Sequence, residues 1–183
     1  MKKVLPVLLI LVIIGAVFAS TYNRVMVLDE DVNQAWAQVE NTLKRRADLI
    51  PNLVNTVKGY AKHEEDVFVQ VTNARSAVQQ ASTPQEYAEA NNQMNQAIRS
   101  INVVAENYPE LKADTSFQNL QIELAGTENR ISVERKRYND KVAEYNRAVR
   151  RFPTKLVAGI MGFSAREYFE VSEQDQQVPE VKF

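Results

Sequence analysis

The sequence has no cysteine, one histidine, one tryptophan and only five glycines in 183 residues. Without cysteine there are no disulfides, no thiol catalysis, no thiolate zinc site and no cysteine-linked lipid anchor, and redox chemistry gives no guide to compartment. The single histidine, His63, lies in Lys62-His63-Glu64-Glu65-Asp66. A di-iron helical bundle needs Glu-x-x-His on two helices; there is no second histidine, and position 60 is Tyr. His63 with Glu64 offers at most a weak metal contact and is expected on a solvated helix surface. Phosphate loops, nucleophile elbows and Gly-rich fingerprints are also missing. Charge of one sign is lacking too: 22 basic residues face 23 acidic ones. That balance argues against a nucleic-acid partner held by phosphate neutralisation. Neither an enzymatic activity nor a cofactor is expected.

What the chain has is helix-forming sequence, rich in Ala, Gln, Glu, Asn, Arg and Val. The expected fold is all-α: an N-terminal transmembrane helix followed by an antiparallel up-down four-helix bundle of long helices. The segments are residues 1–21 as anchor, 22–153 as bundle, 154–170 as an apolar or amphipathic membrane-proximal piece, and 171–183 as a loose, polar tail.

Lys2 and Lys3 precede the apolar run Val4–Ala19. A membrane span needs about 17–25 residues, and Ser20, Thr21 and the interfacial Tyr22 complete that length. A cleaved signal peptide ending at Val17-Phe18-Ala19 is the competing reading; a retained anchor is expected. Two lysines lie before the span, and Arg24 and then the acidic Asp29, Glu30 and Asp31 follow it; with two lysines against one arginine, the amino-terminus is expected in the cytoplasm and the bundle outside.

Apolar residues then recur in steps of three and four at Val25, Leu28, Val32, Trp36, Val39 and Leu43, and again at Ile50, Leu53, Val57 and Tyr60. This is the seam of a packed or coiled-coil helix. Arg46 is the one charge on it. Lys44, Arg45 and Arg46 suit a helix C-terminus, Asp48 suits an N-cap, and Pro51 suits the first turn of a new helix. A turn at Ala47–Ile50 is therefore expected, with a helix kinked at Pro51 as the alternative. The seam runs on in phase through the turn, but a helix from 22 to 81 would be about 90 Å long, more than any later helix could cover. The second helix should reach Ala81 with Gly59 inside it. Ser82-Thr83-Pro84 then restarts the chain, and the third helix runs from Pro84 to about Tyr108 with Asn91, Asn92, Gln93, Asn95 and Gln96 on a solvated face. Asp114, Thr115 or Ser116 caps the fourth, which runs to about Arg151 with its stripe ending at Phe152.

Short loops make these helices antiparallel neighbours. Two sites follow. At the far end, Arg45, Arg46, Asp48 and Pro51 would meet the Tyr108-Pro109 turn, either as an ion pair of Arg46 with Asp48 bracing the turn or as a docking patch for a partner's carboxylate or phosphate. At the membrane end, Tyr22 and the segment Leu156–Phe163, including Leu156, Ile160, Met161 and Phe163, would be membrane-proximal, the segment in the headgroup region or packed on the bundle base. Trp36 would fall near Gly126, a residue small enough to admit an indole.

With these residues in view the chain resembles the LemA family. The resemblance rests on Arg45-Arg46-Ala47-Asp48-Leu49-Ile50-Pro51-Asn52-Leu53-Val54, Val57-Lys58-Gly59-Tyr60-Ala61, Tyr108-Pro109-Glu110-Leu111-Lys112-Ala113, Glu128-Asn129-Arg130-Ile131 and Phe152-Pro153. It implies a bacterial single-pass membrane protein with a helical-bundle domain and no established biochemical activity. Members are often encoded near membrane proteases and some are associated with membrane shaping, which enters by analogy alone. The expected function is a non-catalytic scaffold at the bacterial cell membrane that touches membrane lipid, self-associates as a homo-oligomer or recruits a membrane protein partner. The alternative is an adaptor or sensor for a membrane protease or envelope signalling system.

Overall fold

Six helices account for nearly all of residues 4–170, the part of the chain that the computed structural model describes. They are α1 (Val4–Tyr60), α2 (Glu65–Gln80), α3 (Pro84–Asn107), α4 (Pro109–Ala113), α5 (Thr115–Arg150) and α6 (Thr154–Met161), and there is no strand among the described residues. Lys2, Lys3 and the expected loose tail 171–183 lie outside them.

Helix α1 passes through Pro51 without interruption, so the turn expected at Ala47–Ile50 does not form. A proline inside a helix costs about 3 kcal/mol, because Ala47 loses the N–H that would bond its carbonyl and the ring crowds the preceding turn. On the other side of the balance, Leu43, Ile50, Leu53 and Val57 are each no more than 1% exposed. Each such side chain contributes roughly 1.5–3 kcal/mol on burial. Keeping all four on one stripe requires the helix to stay in phase through Pro51, and packing wins over cap chemistry. The length objection also dissolves: Val7–Ile14 are 54–63% exposed, so the first turns have no protein cover. This is the one helix among the described residues long and apolar enough to cross a membrane.

The helix ends instead just past Gly59, which lies at its last turn rather than inside a second helix. Acidic Glu65 and Asp66 open α2, where they meet the positive end of its dipole. The later boundaries fall where the residue chemistry puts them. Thr83 and Glu86 form a reciprocal capping box with Pro84 in the first turn of α3. Asp114 Oδ1 accepts from the Phe117 N–H at 2.9 Å at the start of α5. Gly162 closes α6 in the left-handed region, φ 79°, where a Cβ would be strained.

The chain divides into two compact units. One contains α1 up to Trp36 together with Arg137–Glu167. Its core is Val25, Leu28, Val32, Tyr138, Val142, Tyr145, Val149, Val157 and Ala158. The other contains Ala37–Lys136 and residues 168–170. Its core draws Leu43, Ile50, Leu53 and Val57 from α1, Phe68 and Val71 from α2, Met94 and Ile101 from α3, Leu111 from α4, and Phe117, Leu124 and Ile131 from α5. Phe152, expected at the end of the buried stripe, is 81% exposed because α5 has already ended at Arg150.

Because the chain has no cysteine, single thiols report geometry cleanly. Spin labels at Asn41→Cys and Asn55→Cys, both exposed and flanking Pro51, should stand about 21 Å apart along a continuous helix. A pulsed electron-resonance distance of half that value would show a turn.

Candidate functional site

The Arg46 side chain enters the interior of the second unit from the seam of α1, where it is only 4% exposed. A guanidinium presents five donors in a rigid plane and keeps its charge. Three acceptors meet it. Asn91 Oδ1 accepts from Nη1 at 2.9 Å and Asn95 Oδ1 from Nη2 at 2.7 Å. Glu128, on α5, accepts a charge-assisted bond from Nη1. Asn91 and Asn95 are four apart on α3 and so share one face. Burial lowers the pKa of Arg46, and the Glu128 carboxylate opposes that shift. Its Nε has no hydrogen-bond partner among the described residues. A second link lies one to two turns earlier: Glu40 Oε1 accepts from Tyr87 Oη at 2.8 Å and from Lys44 Nζ at 2.9 Å. The Lys44 bond, then the Tyr87 bond, hold the Glu40 carboxyl below its ordinary range, while burial and Glu40 push Tyr87 up to about 12.

This arrangement corrects three expectations. Arg46 does not pair with Asp48, because residues two apart on a helix point to different faces; Asp48 stands exposed. The Asn-rich face of α3 is not wholly solvated: Asn91 is 3% exposed and supplies an acceptor. The cluster is not at a turn either. The pairs at the end of the unit are Tyr60 Oη donating to Asp114 Oδ2 at 2.9 Å and Tyr108 Oη donating to Glu64 Oε1 at 3.3 Å. Arg45 is exposed beside Glu123 at 3.3 Å, and Pro51 is half-buried within α1. A docking patch made by both arginines is therefore lost, since Arg46 is closed in by its own acceptors. Two of its three partners were legible in principle: a charge on an apolar seam calls for acceptors at helical spacing, and Asn91-x-x-x-Asn95 offers two.

The register of α1 on α5 follows. Tyr60 meets Asp114 and Arg46 meets Glu128, equal steps along antiparallel helices. In the first unit Trp36 stacks on Tyr138, with ring centroids 5.1 Å apart at 57°. The indole thus meets the expected helix but at Tyr138 and not at Gly126, because α1 ends at Tyr60 and not at Arg46. A Cβ on Gly126 would meet nothing within 4 Å.

The residues expected near the membrane gather in the first unit. The ring of Phe163 lies 6.1 Å from that of Tyr22. Helix α6 packs Val157 and Ala158 inward and leaves Leu156, Ile160 and Met161 at 60%, 74% and 44% exposure, so one face packs and the other is open. Sequence reading missed what fixes the segment after it. Buried Asn146 bonds both main-chain groups of Arg166, accepting from its N–H at 2.8 Å and donating to its carbonyl at 2.9 Å. Tyr138 Oη donates to the Glu167 carbonyl at 2.8 Å, and the Arg166 guanidinium reaches Asp29 at 2.8 Å and Asn33 at 3.2 Å. Among the described residues no group of three or more His, Asp or Glu converges on a metal position.

Truncating Arg46 leaves Asn91, Asn95 and Glu128 facing a hole. Arg46→Ala should cost about 3–5 kcal/mol of unfolding free energy, with Arg46→Met recovering only the volume, whereas Arg45→Ala should stay within about 0.5 kcal/mol. Urea unfolding followed by circular dichroism decides; equal losses at both positions would contradict the bracing role. For Glu40 the folded-state pKa lies below the ordinary 4.5. Its contribution is therefore full above that value and disappears as pH falls through the lowered one. Glu40→Gln should unfold at lower urea than the parent at about pH 7 and coincide with it at about pH 3, with the gap narrowing in high salt.

The LemA family model matches residues 35–183. Magnetosome protein MamQ of Magnetospirillum gryphiswaldense is 24% identical, over 81% of this chain and 64% of its own length. Magnetosome protein MamQ 1 of Paramagnetospirillum magneticum is 23% identical, with the same two coverages. Protein LemA of Metamycoplasma hominis is 22% identical over 86% of this chain and 72% of its own. The chain thus spans a little under two thirds of the magnetosome relatives it matches. With a family match that takes in most of α1 after the apolar run and every later helix, the chain belongs to the LemA family.

Proposed function

We propose that this LemA-family protein is a non-catalytic scaffold, anchored in the bacterial cell membrane by a single span, that self-associates or recruits a membrane protein. Its amino-terminus lies in the cytoplasm and its folded part outside. The observation that carries the reading is α1 itself. One unbroken helix holds an apolar run with no protein cover, Val7–Ile14, and a seam buried at Val25, Leu28, Val32, Val39, Leu43, Ile50, Leu53 and Val57. Uncovered apolar surface of that extent needs lipid or another chain. Gly15 and Ala19, four apart on the run, present the small-residue spacing at which two spans approach closely.

The folded part of the second unit is an antiparallel four-helix bundle in this reading. Arg46 and Glu40 tie α1 to α3, Arg46 ties α1 to α5, and Ser100 Oγ lies 3.3 Å from Gln70 Oε1 between α3 and α2. Both terminal nitrogens of Arg46, and the Glu40 carboxylate, are engaged by other side chains of the same unit, which favours a bracing role over catalysis. An adaptor for a membrane protease or signalling system would have to dock without Arg46, which its own acceptors enclose.

Particle mass of the full-length protein extracted with native lipid is the test. A defined homo-oligomer in native mass spectrometry is the expected result. A monomer without company would overturn the scaffold, and a monomer bound to one foreign protein would replace it with the adaptor.

A further inference from the structure

In the first unit a groove of about 420 Å³ opens where the end of α5 and the start of α6 lie beside α1. Arg24 enters it from α1, and Arg147 and Arg151 from α5 and the turn after it. The guanidinium groups of Arg24 and Arg151 have no ion-pair or hydrogen-bond partner among the described residues, and that of Arg147 uses only Nε, on the Ala143 carbonyl at 3.1 Å. Glu144 is the sole acidic residue of the lining, and it lies 3.6 Å from Lys141. Complementing the α5 dipole accounts for Arg147. It does not account for Arg24, which belongs to another helix, nor for gathering three guanidinium groups around one opening against their mutual repulsion.

The surroundings name the counter-charge. Phe152 lines the groove and is 81% exposed; Leu156 and Ile160 follow it on the open face of α6 at 60% and 74%. Phe163, just past that helix, touches Tyr22, which closes the apolar run. Arg24 is two residues beyond Tyr22. Cations, exposed apolar side chains and the end of the span therefore share one level. A free phosphate would be met by the arginines but would leave Phe152, Leu156 and Ile160 in water. A phosphate carrying acyl chains satisfies both.

We propose that this groove binds the headgroup phosphate of an anionic glycerophospholipid, held by Arg24, Arg147 and Arg151, with its acyl chains passing Phe152, Leu156 and Ile160. The inference rests on the membrane-anchored reading above and adds a lipid class to it. The lipid fastens the base of the unit to the surface, so that the folded part is held by the span and by a second contact.

The experiment uses the full-length protein in vesicles of equal phosphatidylglycerol and phosphatidylcholine, released in mild detergent and weighed with its retained lipid by native mass spectrometry. Phosphatidylglycerol should be retained about tenfold or more over phosphatidylcholine, and Arg24→Gln with Arg151→Gln should bring the ratio close to one. The pair Lys44→Gln with Arg45→Gln, equally exposed and outside the groove, removes the same charge and should leave the ratio unchanged. Equal retention of the two lipids by the parent, or equal loss in both variant pairs, overturns the proposal. So does displacement of the lipid by millimolar glycerol phosphate, which would assign the groove to a soluble phosphate. Flotation with vesicles after alkaline extraction reports on the anchor separately. A chain that floats without the lipid preference sinks the groove alone, and one that does not float sinks both.

Discussion

A buried guanidinium must be answered on several sides at once, and in this protein the answer spans three helices. Arg46 sits where the apolar seam of α1 would otherwise hold a leucine or valine. Its acceptors come from α3 and α5, and none can be supplied by α1 itself. Any slip of α1 by one residue would carry the charge off the line of Asn91 and Asn95 and leave a cation without acceptors in a low-dielectric interior. A hydrophobic residue of the same size would tolerate several registers; the arginine tolerates one. Glu40 with Tyr87 repeats the device with a milder penalty, since the carboxylate there is partly solvated and also has Lys44.

Much of the helical layout could be read from the residues, and the reason is that caps are local. Thr83, Pro84 and Asp114 act on backbone within a few positions, so their chemistry is legible without knowing what packs nearby. The stop at Tyr60 and the passage through Pro51 were not legible in this way. Both depend on how many apolar side chains find cover, a sum over distant partners. The residues around Asp48 carry good capping chemistry that the fold does not use, because the unbroken seam gains more from burial than a cap returns. The same blindness hid Asn91 and Asn95: a pattern that scores only apolar positions treats every asparagine as solvent-facing. Asn146 and Arg166 were further still from view. Their bonds join helix to extended chain across a turn and a short helix, and no periodicity marks an extended partner.

The end of the first unit that carries α6 joins two kinds of order. Helix α6 has one face committed to Val157 and Ala158 and one uncommitted. The strap after it is fixed through its main chain by Asn146 and Tyr138, and through its side chain by Asp29 and Asn33. Main-chain fixation makes the strap insensitive to most substitutions along it, whereas Asn146 has no chemical equivalent: only a side-chain amide offers a donor and an acceptor together at that reach. Arg166 and Lys141 both face acidic residues that follow the span. The acidic trio that seemed merely to fall on the far side of the membrane is thus partly occupied within the fold.

The continuity of α1 has a consequence in rotational phase. Each residue turns a helix by about 100°, and nothing between Ala19 and Val25 can absorb a change in that angle, because there is no loop there. The direction in which the apolar run presents Gly15 and Ala19 is locked to the direction in which Val25 and Val32 enter the core. Adding or deleting one residue in this stretch would leave the composition, the hydrophobic length and the folded unit intact, yet turn the outer face of the run through more than a quarter of a circle. For this chain the angular bearing of the run is specified as firmly as any buried contact, and it is specified by residue count alone.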